Sequence, residues 1–354
     1  MRHPTSFWIN TVGLSTGMAT SLLIFLWVAH EWGGGMESNM ENIRLFSLVA
    51  VFILLIACIN FINLSTARTM KHAHEVGIRK AVGAERRMLV KQYLSESMVV
   101  TVISMFFALA LLSMIMPAFN DFTGKDITFG FTKELVVGAV GITLFTGLLA
   151  GSYPAMFLSS YRAIQVIKGD FHSSIQQIWI RKGLVVFQFW LSIIFIAAVI
   201  VIQSQLQFIA DQGPIAGEEA LYQTQEKVAL LAKYAAALAI LISCLGLLGL
   251  ASFTAERRVR EIGIRKALGA NTQSIVWLLT GEFTRLVIWA IVLGLPVAYV
   301  ILRHWLDQFV YRIELSLMFF ALSAVIAILI SWITLSTQAI RTAQINPSDC
   351  LRDE

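Results

Sequence analysis

Glu75, Arg79 and Lys80 stand together in the stretch EVGIRKAVGA at 75–84, and Glu261, Arg265 and Lys266 in EIGIRKALGA at 261–270. Eight of the ten positions are identical, and the two stretches lie 186 residues apart. A carboxylate followed four residues later by a guanidinium is the favourable order for an ion pair along a helix. Charge in a fixed order suits recognition of a partner surface. Anionic lipid headgroups are the alternative, but they need charge and no particular order of residues.

Other residues resemble reactive sites without the context to be one. GLSTG at 13–17 fits the G-x-S-x-G nucleophile pattern, which needs a strand–turn–helix elbow, whereas here it falls within an apolar run. Gly13 and Gly17, with Ser21, read instead as a small-residue stripe for close helix packing, as do Gly147 and Gly151 in GLLAG. His72 and His74 have no further ligand at metal spacing beyond Glu75, so a solvated loop is expected and no metal site. Cys58, Cys244 and Cys350 show no disulfide or zinc spacing. Asn60 and Asn63, near the end of an apolar run, read as donors of hydrogen bonds between helices. No G-x-x-x-x-G-K-[ST] occurs, so ATP hydrolysis by this chain alone is not expected.

The element that must position the charged stretch is a short helix. At about 100° per residue, Ile78, Ala81 and Val82 share one arc, and Glu75, Arg79 and Lys80 share the other. Gly83 and Gly269 follow at the place of a left-handed C-cap, and Asn271 stands where it caps the next helix. The expected unit is an amphipathic helix at the membrane surface, a glycine turn, then a helix entering the bilayer. Val76 and Ile262 fall on the charged arc, so we expect a partner to cover them.

The rest of the chain is membrane. Of 354 residues 57% are hydrophobic and 14% charged, with mean hydropathy +0.73; a soluble domain carries roughly a quarter charged. Apolar runs of crossing length, about 20 residues, predict eight spans at 7–29, 45–67, 98–119, 134–158, 183–209, 228–253, 284–306 and 315–340. The first run is too long for a cleaved signal peptide and reads as a retained span. The termini and the loops at 68–97, 159–182 and 254–283 hold 19 of the 27 Lys and Arg, against six on the opposite side. Positive charge marks the cytoplasmic face, so both termini and both decapeptides are expected there. The spans contain almost no buried charge, with Lys233, Glu282 and Arg285 near span ends where long side chains reach the interface, which disfavours ion-coupled transport or a channel. A net charge of +5 follows from the loops, with no aromatic-interleaved patch for nucleic acid.

The 186-residue offset extends beyond the decapeptide. Glu96 matches Glu282, and CINFINLSTART matches CLGLLGLASFTA. The expected fold is an all-α polytopic membrane protein of two parallel four-helix repeats, at 1–170 and 171–354. Two equivalent features on one face call for a two-fold partner.

These motifs together resemble the FtsX-like permease family, the membrane subunits of MacB-type (mechanotransmission) ABC transporters. WINTVGLSTGMA at 8–19, RKGLVVFQFW at 181–190, YPA at 153–155 and INPSDCLR at 345–352 are also similar to segments of that family. The resemblance implies two copies of a separate cytoplasmic ABC ATPase subunit, which hold ATP and magnesium while this chain binds no cofactor. It implies coupling contacts at Glu75, Val76, Gly77, Arg79, Lys80 and Gly83, and at Glu261, Ile262, Gly263, Arg265, Lys266 and Gly269. It implies extracytoplasmic work such as efflux or extraction of a peptide, lipid, lipoprotein or drug, with room for an adaptor or outer-membrane partner. The alternative is a signalling subunit that drives an outer enzyme or sensor and transports nothing. Members of the family carry large outer domains after the first span of each half. Here those places hold only 30–44 and 210–227, so we expect the domains to have been replaced by short linkers, GGG being typical of a flexible splice. The start at RHPTSFW also lacks the family's amphipathic lead-in helix.

Overall fold

The computed structural model describes residues 4–33, 40–69, 73–123, 125, 127, 130, 132–158, 175–212, 219–309 and 311–343. Among the described residues there are ten helices and no strand. The chain divides into two compact units, Met1–Arg181 and Lys182–Glu354. The first holds α1 (Pro4–Gly33), α2 (Met40–Thr69), the short α3 (Ala73–Ala81), α4 (Arg86–Thr123) and α5 (Lys133–Leu158). The second takes up most of α6 (Ile175–Gln212), then α7 (Glu219–Arg257), the short α8 (Val259–Ala267), α9 (Thr272–Leu306) and α10 (Leu317–Ala343).

All eight long helices are long and apolar enough to cross a membrane. Their outward faces would be costly in water. Phe106, Met114, Val137 and Leu144 are exposed in the first unit, and Trp289, Val300, Leu317 and Ile333 in the second. Soluble monomers rarely expose apolar patches on that scale, and a bilayer covers them without cost. Two helices start furthest ahead of their apolar runs, each by twelve residues. The spans expected from 98 and 284 belong to helices that begin at Arg86 and Thr272. The glycine turns, and not the membrane surface, set where they start. At 1.5 Å per residue, 38-residue α4 is about 57 Å long. It therefore runs well past a hydrocarbon core of roughly 30 Å.

In the first unit α1 packs on α2, α4 and α5, and α4 packs on α5. Leu14, Met18 and Leu22 of α1, Ile53 and Ile56 of α2 and Leu112 of α4 are fully buried there. Gly147 and Gly151 of α5 lie against α4. A Cβ at Gly147 would stand 2.7 Å from the Met98 sulfur, and one at Gly151 2.9 Å from the Ser97 Cβ. Gly13 and Gly17 are buried in α1. GLSTG is plain helix: the Ser15 hydroxyl donates to the Val12 carbonyl at 3.0 Å. The second unit has a corresponding core of Phe189 and Ile193 on α6, Leu247 and Leu250 on α7, Phe283 and Val287 on α9, and Ala327 on α10.

The polar side chains that join spans differ from the sequence expectation. Asn60 and Asn63 are buried on α2, yet neither amide has a hydrogen-bond partner among the described residues. Serines and tryptophans make joins instead, Trp190 of α6 donating to the Leu293 carbonyl of α9 at 3.1 Å. Ser21 on α1 donates to the Ala50 carbonyl of α2 at 3.0 Å, and Ser192 on α6 meets Ser243 on α7 at 2.9 Å. A small hydroxyl reaches a neighbouring backbone at close helix spacing, whereas an amide needs a partner of matching shape.

At the end remote from the short helices, each unit ties its last loop down with a side-chain amide. Asn120 donates to the Ile127 carbonyl at 2.9 Å and accepts from its N–H at 3.3 Å. Gln205 donates to the Tyr311 carbonyl at 2.7 Å and accepts from the Ile313 N–H at 2.9 Å. Lys125 adds an ion pair to Glu31 on α1 at 2.5 Å. Each loop is thereby held, by Lys125 or by Gln205, to the first helix of its own unit. The short gaps at 30–44 and 210–227 follow those helices, and their central residues, 34–39 and 213–218, lie outside the described residues.

Candidate functional site

The two decapeptides fold alike. α3 and α8 are nine-residue helices, and each is followed by a glycine in the left-handed region, Gly83 at φ +100° and Gly269 at φ +89°. Glycine is required there because a Cβ would crowd the following carbonyl. The hydrogen bonds complete a Schellman motif in both copies. Gly83 N–H donates to the Lys80 carbonyl at 3.0 Å and Ala84 N–H to the Arg79 carbonyl at 2.9 Å. Gly269 and Ala270 make the same two bonds to Lys266 and Arg265, both at 2.9 Å. The turn satisfies carbonyls that a helix end leaves open, and it fixes the angle at which α4 and α9 depart. Asn271 occupies the N-cap position of α9, but its side chain makes no capping bond. Its carbonyl is used instead, accepting from Ser274 N–H at 3.0 Å and Ile275 N–H at 3.4 Å.

The expected ion pairs form in both copies. Arg79 reaches Glu75 at 2.5 Å and Arg265 reaches Glu261 at 2.8 Å, all four side chains about half exposed. Arg79 also donates to Gln92 of α4 at 3.0 Å, which braces α3 on the helix that follows it. Partial burial, with the Arg86 guanidinium nearby, holds the Lys80 ammonium below its ordinary range.

The buried face is not the one the charge pattern suggests. Val76 and Ile262, expected to await a partner, are each only 3% exposed. Val76 rests on Leu89 and Tyr93 of α4. Ile262 rests on Ala255 of α7, Ile275 of α9 and Ala339 of α10. Gly77 and Gly263 are buried beside them, with Lys80 and Lys266 partly so. The apolar arc points outward instead: Ile78 is 48% exposed and Val82 84%, and their counterparts Ile264 and Leu268 are 54% and 83%. The physical reason is the turn. It folds α4 or α9 back under one side of the short helix, so that side is covered whatever its flanking charges. A helical wheel treats the helix as isolated and cannot see the neighbour that supplies the cover.

Each copy therefore displays one mixed face. The first shows Glu75, Ile78, Arg79 and Val82, and the second Glu261, Ile264, Arg265 and Leu268. Such a face has the chemistry to fit a protein groove that offers both charge and an apolar floor. Among the described residues no group of His, Cys, Asp or Glu could hold a metal ion, and His72 lies outside them.

The family model for the FtsX-like permease C-terminal region matches twice, at 47–163 and at 234–347, well over half of the chain. The chain belongs to the FtsX-like permease family. Each matched segment of this permease contains one of the short helices and its glycine turn. Eight apolar helices make it a multi-pass membrane protein. It is 29% identical over 128 residues to a macrolide export ATP-binding/permease protein of Bdellovibrio bacteriovorus, which covers 35% of this chain and 19% of that protein. It is 30% identical over 107 residues to a pyoverdine export ATP-binding/permease protein of Pseudomonas putida, covering 30% and 16%. With the macrolide export ATP-binding/permease protein of Salmonella paratyphi A it shares 32% over 128 residues, 34% and 18% of the two chains. The matched region spans about a fifth of the length of these curated relatives. No solved structure matches.

Proposed function

We propose that this protein is the permease part of an ABC transporter. Its two short helices would lie at the cytoplasmic face of a bacterial inner membrane, where two ABC ATPase subunits dock on them. ATP and magnesium would be held by those ATPases, outside these 354 residues. Docking of a two-fold motor would move α3 and α8, and the long helices α4 and α9 would carry that motion across the bilayer. At the far side the loops tied by Asn120, Lys125 and Gln205 would pass it to the first helix of each half. The work done there would be export, as the names of the relatives suggest for themselves, or extraction from the membrane.

One observation carries this reading. The same four residue positions are exposed in both copies, on turns built from the same hydrogen bonds. Lipid attraction places no demand on the order of residues, whereas two copies of one motor subunit need two copies of one socket.

The test is photocrosslinking in the native host. A photoreactive phenylalanine analogue replaces Val82 or Leu268, with Met114 as a lipid-facing control. Adducts carrying an ABC ATP-binding domain, identified by mass spectrometry at positions 82 and 268 and absent at 114, are expected. Lipid adducts alone at all three positions would overturn the docking assignment.

A further inference from the structure

Glu282 lies about ten residues into α9, and both of its carboxylate oxygens are occupied. Lys182 of α6 reaches Oε1 at 2.9 Å and Arg258 reaches Oε2 at 3.1 Å. Arg258 is the single residue between α7 and α8. Its N–H is shared between the carbonyls of Thr254 at 3.2 Å and Ala255 at 3.1 Å, and its own carbonyl accepts from Ile262 N–H at 2.8 Å. The joint between span and short helix is thus one residue long, and its side chain is held by a carboxylate on a third helix. All three charged side chains are about one-third exposed.

We infer that Glu282 is a positioning residue: it locks the α7–α8 joint to α6 and α9, so that α8 cannot tilt without breaking the bridge or moving those helices with it. Isolated surface ion pairs hold little. This one differs because a single carboxylate joins two cations from separate elements. Removing it leaves Lys182 and Arg258 facing each other unneutralised. The packing agrees, since Ile262 is also wedged among α7, α9 and α10.

The described residues of the other half show no such arrangement. Glu96 occupies the position 186 residues earlier, yet it is exposed and forms no ion pair among the described residues. The position that corresponds to Arg258 holds His72, outside the described residues. Repetition of the acid in the sequence therefore does not by itself make the clamp. The cations from α6 and the joint make it. In the second half, displacement of α8 reaches α6 and α9 as one body.

The value of this stiffness for coupling rests on the docking role proposed above, whereas the clamp itself does not. Hydrogen exchange is measured on the full chain in lipid nanodiscs, following peptides that cover 255–268 and 76–84. Glu282→Gln and, separately, Arg258→Gln should speed exchange across 255–268 by roughly three- to tenfold, as expected for losing one or two charge-assisted bonds at a partly exposed site. Exchange across 76–84 and the melting temperature should stay unchanged, and Glu96→Gln should alter neither segment. Unchanged exchange at 255–268 in both variants, or a uniform rise over the whole chain, would overturn the clamp. The same variants are then assayed for ATP hydrolysis in the complex purified with its ATPase. Faster local exchange with undiminished coupling leaves the clamp standing and removes its proposed role in force transmission.

Discussion

The two short helices present matching faces to solvent but stand on different supports. Among the described residues, the buried cluster at Val76 under α3 draws on α4, through Leu89 and Tyr93. Ile262 under α8 touches three helices, and the joint beside it is bridged by Glu282 to Lys182. Ile275, in the cluster with Ile262, is the counterpart of Leu89 at the 186-residue offset, so that support is common to both halves. What the copies also hold in common is the outward face and the turn. Docking of two copies of one partner, as proposed above, would account for a shared outward face. The packing behind it answers only to its own half and can diverge.

The comparison can be broken most severely at the buried anchors. A carboxylate placed at Ile262 would be enclosed by three helices without a partner. Ile262→Asp should cost about 3–5 kcal/mol and lower yield and melting temperature sharply. Val76→Asp, with only α4 over it among the described residues, should cost roughly half as much because its carboxylate can turn to water more easily. Equal losses would show that the supports do not differ. Next come the turns. Gly83→Ala and Gly269→Ala each force a Cβ into the left-handed region and should cost about 1 kcal/mol, the same in both halves. The smallest effect belongs to the exposed pairs. Arg79→Gln and Arg265→Gln should each lose no more than about 0.5 kcal/mol of stability. A loss beyond that at Arg79 would show its bond to Gln92 to be a structural brace rather than an accessory.

Much of this was legible in the sequence, for physical reasons. Eight spans follow from apolar length, because a bilayer imposes one dimension on every crossing. The Glu–Arg pairs and the glycine caps are local, set by residues within five of one another, and so they follow from spacing. What the sequence pattern misassigned was the buried side of α3 and α8. The decision belongs to α4 and α9 folding back, a tertiary fact that no wheel of nine residues contains. Asn60 and Asn63 were misread for a related cause: polarity marks a side chain that needs a partner but does not say whether one is in reach. Glu282 was visible as a repeated acid, but its two cations come from segments 100 and 24 residues away, and only the fold brings them together.

The central claim is that the outward aliphatics dock the motor and the inward ones hold the fold. It is tested most directly by ATP hydrolysis in the complex purified from its native membrane and placed in nanodiscs. Ile78→Asp combined with Ile264→Asp should leave the permease folded, with an unchanged melting temperature, and should abolish association with the ATPase and the hydrolysis it confers. If that double variant retains its ATPase and full hydrolysis, the exposed faces of α3 and α8 are not the docking surfaces.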